Sequence, residues 1–372
     1  MFLAFHEMKR AKVRFGLLTG AVGLLVFLIL FQQTLLSGLI NQFIGALKHQ
    51  SGEVLVYNDQ ARKNLEGSII LPPQSAAIAA VEGVADASPL GEATFTVTAG
   101  GDERDTVIFG YELGRPGAPT TLVEGRLPEG PGEAVASEKD RADGYDLGDV
   151  IQVQPDGVQI TVVGIARDIN FSVSPVLFVD FATYEAAKLT LNPDAVVVLP
   201  SAIAIDTEDG TSPGEVAERI NAGVAGVEAL TRQQAVDGAP GVASVRSSFG
   251  VILGLFYLVV PLVTGLFFLI VTFQKASALT LLRAIGARGR TLVVALLIQV
   301  VAVVTIGSVL AFGLYALALQ GVSNLGVRVE VRPVLITSLA VLVLALLTSL
   351  VAVRRVLRLD PLAATTGAGV QV

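Results

Sequence analysis

The sequence has no cysteine, no tryptophan and only two histidines, His6 and His49, and just 16% of its 372 residues are charged. Each shortage excludes something. Without cysteine there is no disulfide scaffold, no thiolate metal site and no cysteine nucleophile. Two histidines are too few for most transition-metal cages. A soluble domain is about a quarter charged, whereas here 52% of residues are hydrophobic. That balance excludes an ordinary cytosolic enzyme and an intrinsically disordered chain. The formal net charge of −7 argues against nucleic-acid binding by the molecule as a whole. Catalytic signatures are missing too. There is no Gly-x-x-x-x-Gly-Lys-Ser/Thr, so the chain does not itself cradle ATP phosphates, and neither Gly-x-Ser-x-Gly nor His-Glu-x-x-His occurs. The chain reads as a non-enzyme with no cofactor of its own.

The few charges are unevenly spread. None falls in residues 15–47, 247–274, 291–327 or 333–353. A helix needs about 20 apolar residues to cross roughly 30 Å of hydrocarbon. Four transmembrane helices are predicted, near 16–40, 249–273, 292–319 and 334–353. The first run is longer than one bilayer needs, and its later part, Gln32 to Gln42, is more polar, so the helix is expected to continue as a stalk. No small-residue cleavage site closes that run, which argues against a cleavable signal peptide. Gly16, Gly20 and Gly23 lie near one face of helix one and mark a close helix contact, with helix two or with a second copy. Pro261 removes a hydrogen bond in mid-helix and reads as a kink or a hinge.

Lysine and arginine set the orientation. The N-terminal segment, the segment 274–291 and the tail together hold eleven bases against two acids, Glu7 and Asp360, leaving fifteen bases and thirty-one acids elsewhere. Both termini and the 274–291 loop are therefore expected in the cytoplasm of a multi-pass cell-membrane protein. Three parts follow: residues 1–48, with a cytoplasmic N-terminal helix, transmembrane helix one and stalk; residues 49–246, an extracytoplasmic domain; and residues 247–372, with helices two to four, a loop helix at 274–290 and a cytoplasmic tail.

The outer segment is mixed in character. Alternating β-branched runs predict strands at Val54–Tyr57, Thr94–Thr98, Val107–Tyr111, Val150–Val153, Gln159–Val163 and Val196–Leu199. Helices are predicted at Gln74–Glu82, Phe181–Leu189 and Pro213–Ala222, the last opening on a Thr-Ser-Pro cap. The fold class is an α-helical membrane protein with four transmembrane helices and an α+β domain inserted between helices one and two. Acid pairs such as Glu103/Asp105 and Glu138/Asp140 sit in turn-rich sequence and read as solvated surface.

The inner loop carries the most information. Leu279, Leu282 and Ile285 are spaced three apart on one face of a short helix, and Gly286 suits its C-cap, with arginines just beyond. Such a helix either anchors in lipid headgroups or offers its apolar face to a partner; spacing leaves both open.

Three motifs then carry a resemblance. The loop has Leu282-Arg283-Ala284-Ile285-Gly286-Ala287. The outer segment has Glu124-Gly125-Arg126-Leu127-Pro128 and Gly132-Glu133-Ala134-Val135-Ala136-Ser137, followed by Leu147-Gly148-Asp149-Val150-Ile151 and Thr161-Val162-Val163-Gly164-Ile165. The tail has Leu359-Asp360-Pro361-Leu362-Ala363-Ala364. In this order they resemble the FtsX/MacB-type (type VII) permeases of ATP-binding-cassette transporters, over essentially the whole chain. Within that family the opening Met1–Met8 and the stretch from Phe273 to Gln299 are most similar to the haem-exporter permeases of the HrtB type, with the DevC type next.

The resemblance implies a permease subunit working as a homodimer in lipid, with two copies of a separate ATPase that holds ATP and magnesium. The loop helix would be the coupling element, through Lys275, Leu279, Leu282, Arg283, Ile285 and Gly286. A membrane-partitioning substrate, best represented by haem, would be expelled from the outer leaflet by squeezing. An oxygen side chain would serve as axial ligand in a pocket between the copies. Tyrosine can hold haem iron, which singles out Tyr257; Glu66 and Glu330 are the juxtamembrane carboxylates, and Phe31 and Phe43 could stack on a porphyrin. Each has a plainer reading: an aromatic-belt residue for Tyr257, solvated charges for the glutamates, lipid-facing packing for the phenylalanines. Two other functions stay open: an FtsX-like mechanotransmitter that regulates a cell-wall hydrolase, and an exporter of peptides, lipids or antibiotics.

Overall fold

The computed structural model describes residues 11–274, 289–321 and 331–357. The chain forms two compact units, one of residues 1–36 with 247–372 and one of residues 37–246. The helices are α1 (Lys12–Lys48), α2 (Pro72–Ala79), α3 (Phe181–Leu191), α4 (Pro213–Gly223), α5 (Arg232–Gly238), α6 (Val242–Gln274), α7 (Gly289–Gly321) and α8 (Val331–Leu357). The strands are β1 (Val54–Asn58), β2 (Val84–Ala99), β3 (Asp102–Tyr111), β4 (Leu122–Gly125), β5 (Glu133–Ser137), β6 (Val150–Val153), β7 (Gln159–Ala166), β8 (Val176–Asp180), β9 (Ala202–Thr207) and β10 (Val227–Thr231).

In the unit of residues 37–246 the strands form one ten-stranded sheet in the order β10-β1-β9-β2-β3-β8-β5-β7-β4, with β6 pairing β2 and β7. Strand β1 is buried on both faces, so it reads as a continuous apolar run. Val54 and Val56 pack with Ile203, Ile205, Val216 and Ile220 on one side. Leu55 and Tyr57 pack with Leu90, Phe109 and Phe178 on the other. Helix α3 lies over β2 and β3, where Tyr184 occupies the space that side chains at positions 91 and 110 would need.

Most predicted elements are present, several of them longer. The strand expected at Val196–Leu199 is not. That stretch has no regular structure, and Val196 is 96% exposed. The pairing position beside β2 is taken by β9, with Leu90 opposite Ala202, so an apolar run closed by Pro200 has no free edge to join. The motifs around Arg126 and Glu133 flank β7 on neighbouring strands, and the Arg126 guanidinium grips the Glu133 carboxylate, Nη1 to Oε2 at 2.7 Å. That pairing holds the Glu133 carboxyl down at about 2.

In the other unit, Leu18, Val22, Val26 and Ile29 of α1 recur every three or four residues and face Val260, Val300, Val304, Val341 and Ala345. Among the described residues, three helical stretches are long and apolar enough to cross a membrane: Lys12–Lys48, Val242–Phe267 and Leu297–Leu319; Leu335–Thr348 is a shorter apolar stretch. Leu258, Leu262, Val309, Leu317 and Leu339 turn most of their surface outward, a distribution that suits hydrocarbon and not water. One glycine of the α1 face meets a helix other than the helix two of the expectation. Among the described residues nothing lies within 4 Å of a Cβ built on Gly16 or Gly20, while Gly23 meets α7. A Cβ on Gly23 would lie 3.0 Å from the Gly307 carbonyl, and one on Gly307 would lie 3.2 Å from Gly23 N. Absence of side chains on both helices lets their backbones cross closely there, so this close contact is with the third apolar helix instead of the second.

Candidate functional site

Three consecutive residues of α1 reach three different helices. Successive helical residues point about 100° apart, so one short stretch can address neighbours on three sides. Gln32 Nε2 donates to the Phe249 carbonyl of α6 at 2.9 Å, and Thr34 Oγ1 and the Tyr315 hydroxyl of α7 are 2.6 Å apart. Thr337 of α8 donates from Oγ1 to Gln33 Oε1 at 3.2 Å. Gln32, Tyr315 and Thr337 are all buried, and Gln32 Oε1 has no hydrogen-bond partner among the described residues. The polar stretch that begins at Gln32, expected to start a stalk, instead opens with a turn that ties α1 to α6, α7 and α8. Sequence reading missed this layer because polar residues at the end of an apolar run look the same whether they face water or one another.

Tyr257 lies half-buried on α6, packed with Phe256 against the apolar core of the same unit. Pro261, four residues on, has no N–H, so the Tyr257 carbonyl loses its helical donor. Phe31 stacks on Phe27 along α1, with centroids 5.7 Å apart. Because Phe249 lies beside Gln32, Tyr257 sits about 12 Å farther along the α6 axis than that level, and Phe31 and Tyr257 are not brought to one height.

The remaining described candidates belong to the unit of residues 37–246. Phe43 packs on a small cluster of Ile44, Val236, Ala239 and Val242. Glu66 is exposed. Its charge acts on a residue that sequence reading passed over, Glu92 of β2, which is only 4% exposed and whose Oε2 has no hydrogen-bond partner among the described residues. Burial, and then repulsion from Glu66, push the Glu92 carboxyl up to about 7, against a smaller opposing effect of Lys188. His49 is half-buried, and burial together with Lys48 lowers its pKa. Glu330, Lys275, Leu279, Leu282, Arg283, Ile285 and Gly286 lie outside the described residues. Among the described residues, no group of three or more His, Cys, Asp or Glu is placed to hold a metal ion.

The MacB-like periplasmic core domain family matches residues 16–222, from within α1 into α4. The FtsX-like permease C-terminal family matches residues 250–361, which include most of α6 and all of α7. The chain belongs to the MacB/FtsX-type permeases. Among its relatives is the Staphylococcus epidermidis protein HrtB, named as a hemin transport system permease protein, 22% identical over 369 residues that cover 99% of both chains. A Mycobacterium tuberculosis protein named as an uncharacterised ABC transporter permease is 26% identical over 374 residues, again 99% of each. Two solved structures are similar to this permease in part. The periplasmic region of MacB from Actinobacillus actinomycetemcomitans aligns with a TM-score of 0.35 at 13% identity, over 48% of this chain and 88% of that one. The extracellular domain of YknZ, an ABC-type transporter from Gram-positive bacteria, aligns with a TM-score of 0.34 at 14% identity, over 49% and 100%.

Proposed function

We propose that this permease is the membrane subunit of an ATP-driven efflux transporter. Two copies would pair in the cell membrane, and two copies of a separate ABC ATPase would dock on the cytoplasmic side. The observation that carries the reading is a combination: a match to the MacB-like periplasmic core domain family is followed along the chain by one to the FtsX-like permease C-terminal family, and no phosphate-cradling loop occurs in the sequence. On this reading the energy would come from a companion chain. All four apolar runs would span the bilayer, with both termini and the 274–290 segment inside and residues 49–246 outside. The coupling face of Leu279, Leu282 and Ile285, flanked by Lys275, Arg283 and Gly286, would seat in a groove of the ATPase, an amphipathic-helix contact.

Haem is the substrate this reading favours, supported by a relative named for hemin transport along its whole length. Haem is planar and amphipathic and partitions into lipid, so expulsion from the outer leaflet needs squeezing, not an inward-open channel. Tyr257, with its phenol and its released carbonyl on α6, is the first choice of axial ligand. Glu66 and Glu330 are the carboxylate choices, and Phe31 and Phe43 the stacking ones. Purifying the complex with haem and recording its absorption tests this. A Soret band is expected, shifted or lost in Tyr257→Phe. A band that is unchanged in Tyr257→Phe, Glu66→Ala and Glu330→Ala removes this ligand assignment, and absence of any band removes haem.

A further inference from the structure

Helix α1 breaks at Ile44, whose φ of −142° and ψ of 20° lie outside the helical range. In an unbroken helix the Gln42 carbonyl would accept from Ala46 N and the Phe43 carbonyl from Leu47 N. Here segment 168–174 supplies other partners. Val173 N donates to the Gln42 carbonyl at 2.9 Å, Ser172 N donates to the Phe43 carbonyl at 2.9 Å, and Ala46 N donates to the Asn170 carbonyl at 3.1 Å. The same two acceptors therefore have two alternative donors, and neither carbonyl is stranded in either arrangement.

The segment is fixed at its base and strained at its tip. Asn170 Nδ2 donates at 2.8 Å to the carboxylate of Asp140, which is buried and not the solvated acid its sequence context suggests, and Asn170 Oδ1 accepts from Ser137 Oγ at 3.0 Å. Asp168, Ser172 and Val173 have φ of +57°, +50° and +66°, a region that side chains with a Cβ avoid and β-branched ones most of all. Val173 is 54% exposed, so packing does not offset its strain. The approach also depends on Gly45: a Cβ there would lie 2.2 Å from the Asp168 carbonyl oxygen and 3.1 Å from that of Asn170.

We propose that residues 168–174 are a reversible latch on α1. In the latched state the segment holds the carbonyls of Gln42 and Phe43. In the released state the helix takes them back and runs straight through Ile44, and the tip relaxes from its left-handed conformation. The stretch of α1 that carries the chain out of the membrane unit thus has a built-in two-state hinge, whatever the substrate.

Hydrogen–deuterium exchange on the full-length protein in nanodiscs tests this. Gly45→Ala bars the latch and strengthens the helix. Ser172 and Val173 amides should then exchange at least about fivefold faster, the ratio supplied by the helix preference of alanine over glycine alone, while Ala46 and Leu47 exchange no faster than in the parent. Unchanged rates at 172 and 173 overturn the proposal. So does a speed-up shared by Ala46 and Leu47, which would mean local unfolding. Val173→Asn suits the left-handed conformation and should slow exchange at Ser172; an equal or faster rate also overturns it. If Gly45→Ala does not fold, Val173→Asn decides alone.

Discussion

Glu92 is a buried carboxyl whose proton is held by the fold. Its folded pKa of about 7 stands above the ordinary value of 4.5. Between those limits the unfolded chain has lost a proton that the folded chain keeps, so stability falls as pH rises from about 4.5 to about 7 and is level above that. At 4% exposure solvent screens the effect little, and the loss is of the order of 3 kcal/mol. Chemical denaturation at pH 5 and at pH 8 should show that difference, and Glu92→Gln should abolish most of it. A pH-independent midpoint in the parent protein would refute the assignment. Polar side chains between the long helices carry smaller stakes. Tyr315→Phe and Thr34→Val each remove one side of a single bond, and hydrogen bonds between membrane helices average about 0.6 and reach about 1.7 kcal/mol. Thermal unfolding in detergent should show each variant destabilised within that range and the double variant little worse than either single one. Gln32 stands apart because its Oε1 already has no hydrogen-bond partner among the described residues.

Helices and strands here were legible to different degrees, for a physical reason. An apolar run long enough to span a bilayer announces itself without knowledge of its neighbours. Strands depend on partners: Val150–Val153 was read at its true bounds, whereas Val196–Leu199 had the right side chains and no edge to pair with. Strands β5 and β8 lie in the middle of the sheet order and were not predicted, because a short run buried on both sides has no period to detect. Helix crossings are more demanding still. Three glycines share a face of α1 in sequence, and among the described residues only Gly23 of the three meets another backbone. Gly307→Leu should therefore cost about 1–3 kcal/mol or more by overpacking, while Gly16→Leu should cost much less; equal losses in thermal unfolding would contradict the crossing. For the proposed coupling segment 274–290, Leu282→Asp and Ile285→Asp should abolish substrate-stimulated ATP hydrolysis in the reconstituted complex while membrane insertion stays normal. Retained stimulation in both would place the lever elsewhere.

For the whole molecule, the charge asymmetry makes a sidedness prediction, and the absence of cysteine makes it clean to test. In intact cells a thiol introduced as Asp102→Cys, on the exposed start of β3, should react with a membrane-impermeant maleimide. A thiol introduced as His6→Cys should react only after permeabilisation. The opposite pattern would invert the orientation and with it the reading of residues 49–246 as an outer domain.

The sequence alone determined that this is an apolar chain with several helices of membrane length, an inserted mixed domain and the motifs of a MacB/FtsX-type permease. The first two rest on composition and local periodicity and the last on a resemblance of short motifs to a known family, and none of them needs knowledge of what lies across the fold. Only the tertiary structure decided which of the polar and strained residues matter to one another. Gln32, Gln33 and Thr34 looked like the start of a stalk until three helices were found around them. Glu92 looked like one more acid until the sheet buried it near Glu66. Nothing in the sequence singles out Asp168, Ser172 and Val173; the structure does, because the broken turn at Ile44 lends their segment two carbonyls. In each case the decisive quantity is a distance between residues far apart in the chain, and local pattern carries no information about such distances.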